Sequence, residues 1–220
     1  KWARSAPRRL KQPLWEGDPL DGSSLYVYPE QGLGDVIQFA RYVPLVEAKA
    51  RRVVFEVPAN LLRLFEESEF AKNLMAATET PPAFDCRVSL LDLPRHLNTE
   101  LDTIPAGDPY LTVPAEREEI WVERLKPSEY FRLGIVWTGY PIHKNDRNRS
   151  IAASQFLPLT DIAGVSLYSL QVDREGEAAE TFGDKVTDLA PFLTDFADTA
   201  AAMRNFDLIV SVDTSVVHLA

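Results

Sequence analysis

The sequence predicts an α/β protein built from two domains with mostly parallel sheets. Short runs of β-forming residues alternate with amphipathic helical segments along most of the 220 residues, as they do in βαβ units. A glycine-rich turn joins the first strand to the first helix, and a second alternation of the same kind follows a break near residue 127. The predicted organisation is a connector at 1–20, an N-terminal domain at 21–126 and a C-terminal domain at 127–220.

The first strand, turn and helix contain the strongest candidate for chemistry. The strand is predicted at 25–28, the turn at 30–35, and apolar residues at helical spacing follow from 36 to 50, where Pro44 should kink or shorten the helix. The glycines of the turn allow positive φ and leave room for a ligand to approach the backbone. Asp35 is therefore either a helix cap or a catalytic carboxylate, and the residues alone leave both open.

The remainder of the N-terminal half is predicted from local patterns. Residues 1–20 form a basic, proline-containing lead-in, in which Trp15 either anchors a connector to the first domain or lies in a disordered terminus. The further predicted elements are a strand at 52–57, a helix at 60–67, strands at 74–77 and 84–88, and a charged helix at 116–126.

In the second domain, a buried strand at 131–137 leads into Thr138 and Gly139 and then a long polar loop. Ligands of open parallel sheets bind at the carboxyl ends of strands, which is where this loop begins. The loop at 140–150 is basic within an acidic protein, so it is either a solvated surface loop or an anion-binding loop. In the second case Arg149 is the candidate contact for a diphosphate.

The last predicted elements are a strand at 165–171, a helix at 195–205 and a strand at 207–212 that reads as buried on both faces. Asp213, Thr214 and Ser215 then begin a helix that contains His218. A helix start of this kind suits hydroxyl and phosphate oxygens, or it is simply a cap, with His218 a packed helix residue. Because the pattern stops within a helix, we expect the chain to be a fragment of a longer protein whose second domain is incomplete.

Composition limits the possible classes of function. Twenty-three basic and 33 acidic residues give a net charge of −10, which argues against general nucleic-acid binding. Cys86 is the only cysteine, and with three histidines it forms no metal-ligand spacing. No apolar run is long enough to span a membrane, so we expect a cytoplasmic location with no transmembrane segment.

The order of these motifs resembles bacterial glycosyltransferase-like domains that typically follow tetratricopeptide repeats. Those domains are similar to the heptosyltransferases of glycosyltransferase family 9. The matching segments are 15–17, 30–42, 136–139, 145–151, 169–171 and 211–220. The resemblance implies a GT-B-like fold: two Rossmann-like domains with parallel sheets and the active site in the cleft between them. It also implies that the protein needs no metal or other cofactor and uses a nucleotide-diphosphate sugar as donor.

The resemblance also implies roles for individual residues. Asp35 would be the catalytic base, which deprotonates the acceptor hydroxyl during inversion. The implied substrate-binding residues are Gln31 and Gly34 in the first domain, Thr138, Gly139 and Asn145 near the donor, Arg149 and the N–H groups of Thr214 and Ser215 on the diphosphate, Asp213 and His218 near the donor sugar, and Gln171 on the nucleoside.

Three departures from the heptosyltransferase pattern prevent the heptose donor from being carried over. Ser215 stands where a glycine commonly follows the Asp-Thr pair, Pro44 comes later after Asp35, and the lysine-bearing donor motif has no clear counterpart. A metal-independent inverting glycosyltransferase is the leading hypothesis. A non-catalytic nucleotide- or sugar-binding module of a repeat protein is the alternative, and an epimerase would need a second acid/base group. A protein, lipid-linked glycan or small glycoside would each fit as acceptor.

Overall fold

A computed structural model describes residues 10–68, 73–106, 109–125, 128–141 and 143–220. The chain divides into two compact units, Lys1–Thr112 and Val113–Ala220. Each unit contains a four-stranded sheet in which every strand pair is parallel. The predicted α/β class with two parallel sheets is therefore confirmed.

The first unit has the sheet order β3-β2-β1-β4. Its strands and α-helices are β1 (Ser24–Tyr28), α1 (Leu33–Ala40), α2 (Val43–Glu47), β2 (Arg52–Val57), α3 (Ala59–Glu67), β3 (Leu74–Ala76), β4 (Cys86–Ser89) and α4 (Leu93–His96). Short 3-10 turns lie at Leu90–Asp92 and Leu101–Thr103. Strands β1 and β2 occupy the centre of the sheet, and nearly all of their side chains are buried.

Pro44 divides the predicted first helix into two. Helix α1 ends at Ala40, and Pro44 lies in the first turn of α2. Proline has no N–H to donate, so it is tolerated in the first turn of a helix and interrupts a helix elsewhere. The split leaves α1 as a short helix whose N-terminus follows directly from the turn after β1.

Trp15 anchors the connector to the outer edge of β4. The Trp15 N–H donates to the Arg87 carbonyl at 2.8 Å, and the Arg87 N–H donates to the Pro13 carbonyl at 3.0 Å. The Trp15 side chain is 5% exposed, and its indole N–H donates to the Asp18 carbonyl at 2.7 Å. The anchoring interpretation of Trp15 is confirmed, while residues 1–9 of the predicted connector lie outside the described residues.

The second unit has the sheet order β7-β6-β5-β8. Its strands and α-helices are α5 (Ala115–Leu125), β5 (Phe131–Val136), β6 (Val165–Ser169), α6 (Glu177–Phe182), β7 (Val186–Asp188), α7 (Phe196–Met203), β8 (Leu208–Ser211) and α8 (Ser215–Leu219). The 3-10 segments are Asp146–Asn148, Ala153–Asp161, Gly183–Lys185 and Ala190–Phe192.

Alternate residues at the end of β5 pack into two different apolar clusters. Ile135 and Trp137 lie with Phe156 and Phe182 on one face of the sheet. Val136 lies on the other face, in a cluster that includes Trp121 of α5. Successive side chains of a strand point to opposite faces, so both faces of this sheet are covered.

Two predictions about the second unit need correction. The boundary between the units lies between Thr112 and Val113, because α5 packs on the second unit, whereas it was predicted at 126/127. Strand β8 was predicted to be buried on both faces, but it lies at the edge of the sheet and its Leu208 is 49% exposed. An apolar run alone cannot distinguish a central strand from an edge strand, because it carries no information about neighbours.

Candidate functional site

Asp35 is the third residue of α1 and is held by the turn that precedes the helix. Its Oδ2 accepts the N–H of Gly32, the N-cap residue, at 2.9 Å. This contact is the reciprocal half of a capping box, so Asp35 supports the helix start without being the N-cap itself. Within the described part of the chain, its Oδ1 has no hydrogen-bond partner. The carboxylate is half-buried and oriented, which suits a group that accepts a proton.

The other predicted residues of the first unit lie beside Asp35. Gly34 is the second residue of α1 and half-buried, while Gln31 is exposed in the turn. The turn follows the carboxyl end of β1, the edge of a parallel sheet where ligands bind. The three residues therefore lie together at the carboxyl ends of the strands of the first sheet, as the sequence predicts.

A second carboxylate lies at the same edge of the first sheet. The Ser89 hydroxyl donates a hydrogen bond to Oε2 of Glu30. Tyr28 and Ser89 are register partners at the ends of β1 and β4, which explains why Glu30 and Ser89 meet. Burial raises the pKa of Tyr28, Arg87 partly opposes the rise, and Glu30 adds to it. Sequence reasoning missed this pair because the two residues are 59 positions apart.

In the second unit, three neighbouring parallel strands bring the predicted donor residues to one edge of the sheet. Thr138 follows β5, Gln171 follows β6, and Asp213 follows β8, while β5 lies between the other two strands. Of the remaining predicted residues, His218 is half-buried in α8. Asn145 is exposed, and its Oδ1 accepts the Asn148 side-chain N–H at 2.5 Å.

The polar loop after β5 is folded back and held by its own side chains. The Gly139 N–H donates to the Ser150 hydroxyl oxygen at 2.9 Å, and that hydroxyl donates to Oδ1 of Asp146 at 2.7 Å. The Ile151 N–H donates to the Trp137 carbonyl at 2.9 Å, which returns the loop to the end of β5. Sequence reasoning had not singled out Asp146 or Ser150. Their spacing of four residues within a polar loop is the only sequence signal for this contact.

Arg149 is not a solvated loop residue. Its side chain is 19% exposed, and its Nε lies 3.9 Å from Oδ1 of Asp146. A Cβ placed on Gly139 would lie 2.8 Å from Nη2 of Arg149, so the guanidinium group rests directly on the glycine. The absence of a side chain at Gly139 therefore creates the space that Arg149 occupies.

Two buried polar atoms in this cluster lack hydrogen-bond partners among the described residues. They are the Arg149 Nε and the Thr138 hydroxyl oxygen, and Thr138 is only 9% exposed. Most buried polar atoms in native proteins are satisfied, so unsatisfied ones call for a structural explanation. A hydroxyl and a guanidinium group beside a side-chain-free glycine are well suited to bind an anionic or hydroxyl-bearing ligand.

Gln171 is held by three hydrogen bonds to the protein's own backbone. Its Oε1 accepts the N–H groups of Trp137 at 3.1 Å and Thr138 at 2.9 Å. Its Nε2 donates to the Val172 carbonyl at 2.9 Å, and the residue is 5% exposed. The resemblance predicts a nucleoside contact for Gln171, whereas these three hydrogen bonds direct most of its amide to the backbone.

At the end of β8, Thr214 is the N-cap of α8. Its hydroxyl oxygen accepts the Val216 N–H at 3.3 Å, and the residue is buried. Ser215 is the first residue of the helix, and Asp213 precedes the cap and is exposed. The capping interpretation is therefore confirmed for Thr214. In the binding hypothesis, its backbone N–H rather than its hydroxyl would contact a ligand.

The described residues give two further results. No helix among them is long and apolar enough to cross a membrane. Nor do three or more of their His, Cys, Asp or Glu side chains come together as a group that could hold a metal ion.

Comparison with known proteins places the chain by its fold. No protein-family model matches it. Protein FlbA of Caulobacter vibrioides is 26% identical over an alignment 244 residues long, which covers 98% of this chain and 40% of FlbA. The chain thus spans less than half the length of this curated relative.

Solved structures give a closer match in fold than in sequence. The E. coli ADP-heptose LPS heptosyltransferase II superposes with a TM-score of 0.62 at 12% identity, covering 90% of this chain and 81% of that enzyme. The glycosyl transferase family 9 structure from Veillonella parvula gives 0.64 at 11% identity, covering 90% and 78%. The chain therefore has the GT-B-like fold of these heptosyltransferases.

Proposed function

We propose that this chain is the core of a metal-independent, inverting glycosyltransferase that transfers a sugar from a nucleotide-diphosphate sugar to an acceptor hydroxyl. The observation that supports it most is the cluster at the carboxyl end of β5. There, Arg149 and Thr138 carry buried polar atoms without hydrogen-bond partners in the described part of the chain, beside Gly139. The GT-B-like fold is consistent with this chemistry, although a fold alone does not determine function.

On the donor side, the proposed role of Arg149 is to neutralise the diphosphate. A guanidinium group forms paired hydrogen bonds to phosphate oxygens and keeps its charge at every physiological pH. When the sugar C1–O bond breaks, negative charge develops on the departing nucleoside diphosphate, and a fixed cation stabilises it. The backbone N–H groups of Thr214 and Ser215 would add to this effect, and Asp213 and His218 would contact the donor sugar.

On the acceptor side, Asp35 is the proposed general base. The acceptor hydroxyl attacks the anomeric carbon from the face opposite the leaving group, its proton passes to Asp35, and the nucleoside diphosphate departs with the bonding electrons. The Gly32 N–H holds one oxygen of Asp35 in place, which leaves the other oxygen for the proton. Gln31 and Gly34 would contact the acceptor. These roles do not depend on which sugar, nucleobase or acceptor is used.

Two further features of the proposal come from the sequence alone: the repeats from the motif resemblance, and the location from the composition. We propose that the chain follows tetratricopeptide repeats in a longer bacterial protein, and that it acts in the cytoplasm. The chain spans 40% of the length of FlbA, so the activity and partners of any longer protein that contains it are also proposals.

A screen of nucleotide sugars tests the proposed function. Binding is measured by calorimetry, and slow transfer to water is followed as release of free nucleoside diphosphate, for the wild-type chain and Arg149→Ala. We expect one donor to bind and to be hydrolysed, and Arg149→Ala to lose most of that affinity. Binding without turnover, in this chain and in a longer protein that contains it, would favour the binding-module alternative. No binding of any nucleotide sugar would contradict the donor site.

A further inference from the structure

Gln171 was expected to contact the nucleoside of the donor, but its geometry suggests a different role. We propose that Gln171 is a positioning residue, which fixes the turn at Thr138 and Gly139 and thereby places Arg149. This inference rests on the proposed donor site and deepens it. Gln171 would support the binding of the donor's diphosphate, whichever nucleobase the donor carries, without contacting the donor itself.

The first step of the argument is the connection that Gln171 makes between two strands. Strands β5 and β6 are parallel neighbours, and Ile135 pairs with Ser169 close to their carboxyl ends. Just beyond those ends, Gln171 connects the two segments by accepting both the Trp137 and the Thr138 N–H on Oε1. Two consecutive backbone N–H groups at the end of β5 are thereby satisfied by one side chain.

The second step is the orientation of the amide. Nε2 of Gln171 donates to the Val172 carbonyl at 2.9 Å, so Oε1 must face the β5 turn. Three of the four hydrogen-bonding positions of the amide are bonded to the backbone, which leaves only the second Nε2 N–H. The residue is 5% exposed, so the side chain is directed into the protein rather than towards a nucleoside. A glutamate could replace the acceptor but not the donor, and a methionine of similar length could replace neither.

The third step follows the turn to Arg149. With the Thr138 N–H fixed by Gln171, the next N–H, that of Gly139, donates to the Ser150 hydroxyl, which is bonded in turn to Asp146. Arg149 rests on Gly139 and pairs with the same Asp146. A change at Gln171 therefore moves the guanidinium group through a continuous chain of contacts.

The two roles of Gln171 make different predictions for a ligand that has no base. We would measure the affinities of the 220-residue chain for ADP, UDP and inorganic diphosphate, well below its melting temperature, in the wild type and in Gln171→Met. A positioning residue predicts the same loss for all three ligands, about tenfold, because a displaced Arg149 weakens its contact with any diphosphate. A nucleoside contact predicts a loss for ADP and UDP only.

Amide hydrogen exchange in the free protein provides a readout that needs no ligand. In Gln171→Met the Trp137 and Thr138 amides should exchange faster than in the wild type, because their acceptor is gone. Gln171→Glu should restore their protection, since a carboxylate oxygen accepts both N–H groups, while its charge still weakens diphosphate binding. Gln155→Met is the matched control, because Gln155 is exposed in the same unit, and it should change neither measurement.

Specific outcomes would overturn the inference. The inference is wrong if the Trp137 and Thr138 amides exchange at the wild-type rate in Gln171→Met. It is also wrong if the affinity falls for ADP and UDP but not for inorganic diphosphate. If Gln171→Met does not fold, the same comparison across the three ligands is made with Gln171→Leu, which also removes the acceptor and adds no charge. If the wild type binds none of the three ligands, the proposed donor site fails, while the exchange measurement still decides whether Gln171 holds the turn.

Discussion

Replacing Gly139 with alanine tests whether the position of Arg149 matters for ligand binding. The new Cβ would lie 2.8 Å from Nη2 of Arg149 and 3.2 Å from Oδ1 of Asp146, whereas ordinary contacts begin at 3.4 Å. The guanidinium group must therefore retreat by at least 3.4 − 2.8 = 0.6 Å, and by 1.2 Å to reach a 4 Å contact. Displacements of about 1 Å are large on the scale that oriented binding and catalysis tolerate.

The displaced group is the far end of a flexible side chain, so the protein should remain stable. We expect Gly139→Ala to change the free energy of unfolding by less than about 1 kcal/mol. The affinity for inorganic diphosphate should fall about tenfold, which corresponds to about 1.4 kcal/mol of binding free energy. Urea denaturation measures the first quantity, and isothermal titration calorimetry measures the second.

Gly134→Ala is the matched control, because it makes the same change within strand β5, at a buried position in the core. Its Cβ would lie 2.7 Å from Cδ1 of Ile209 and 2.9 Å from Cδ1 of Leu170. Overpacking of this kind costs about 1–3 kcal/mol of stability, but it should leave the diphosphate affinity of the folded protein unchanged. Wild-type affinity in Gly139→Ala would refute the argument that this glycine sets the position of Arg149.

Three further predictions concern stability. Asp195 accepts the N–H groups of Ala197 and Asp198, so Asp195→Ala should lower the free energy of unfolding by about 1 kcal/mol in urea, and no loss would contradict its capping role. Trp15→Ala removes a side chain that is 5% exposed and should cost about 3 kcal/mol in urea; a cost near zero would show that the connector does not dock in solution. Hydrogen bonds from the Ser24 side chain and backbone lower the pKa of Asp85 below its ordinary 3.8, so its stabilising effect is present above that pH and is lost as the pH falls through the lowered pKa. Urea unfolding at several pH values should show the difference between the wild type and Asp85→Asn shrinking at acid pH, and a constant difference would contradict this.

The sequence predicts the regular elements that have strong local patterns. The central strands β1, β2 and β5 are continuous runs of β-forming residues, and their bounds match prediction to within one residue. Strand β7 was not predicted, because three residues, Val186–Asp188, carry too little pattern to be recognised. It is ordered by pairing with β6, which is a tertiary effect.

The candidate site was predicted in its residues but only partly in its contacts. The positions of Asp35 and Thr138 at the carboxyl ends of strands follow from local sequence, because strand ends and turns can be located there. The role of Gln171 could not be predicted, because it depends on hydrogen bonds to residues in another segment. The role of Asp146 depends on how the polar loop folds back on itself, which its sequence does not determine. A glutamine after a strand can face a ligand or its own backbone, and only the folded geometry distinguishes these cases.

The most direct test of the proposed function is turnover by Asp35→Asn. Asparagine retains the shape of the side chain and an oxygen for the Gly32 N–H, so the helix start is preserved while the base is lost. With the best donor from the nucleotide-sugar screen, we predict a fall in kcat of at least about a hundredfold with donor affinity unchanged. Asp102→Asn, at an exposed carboxylate of the same unit, should behave as the wild type. Wild-type turnover in Asp35→Asn would contradict the assignment of Asp35 as the base.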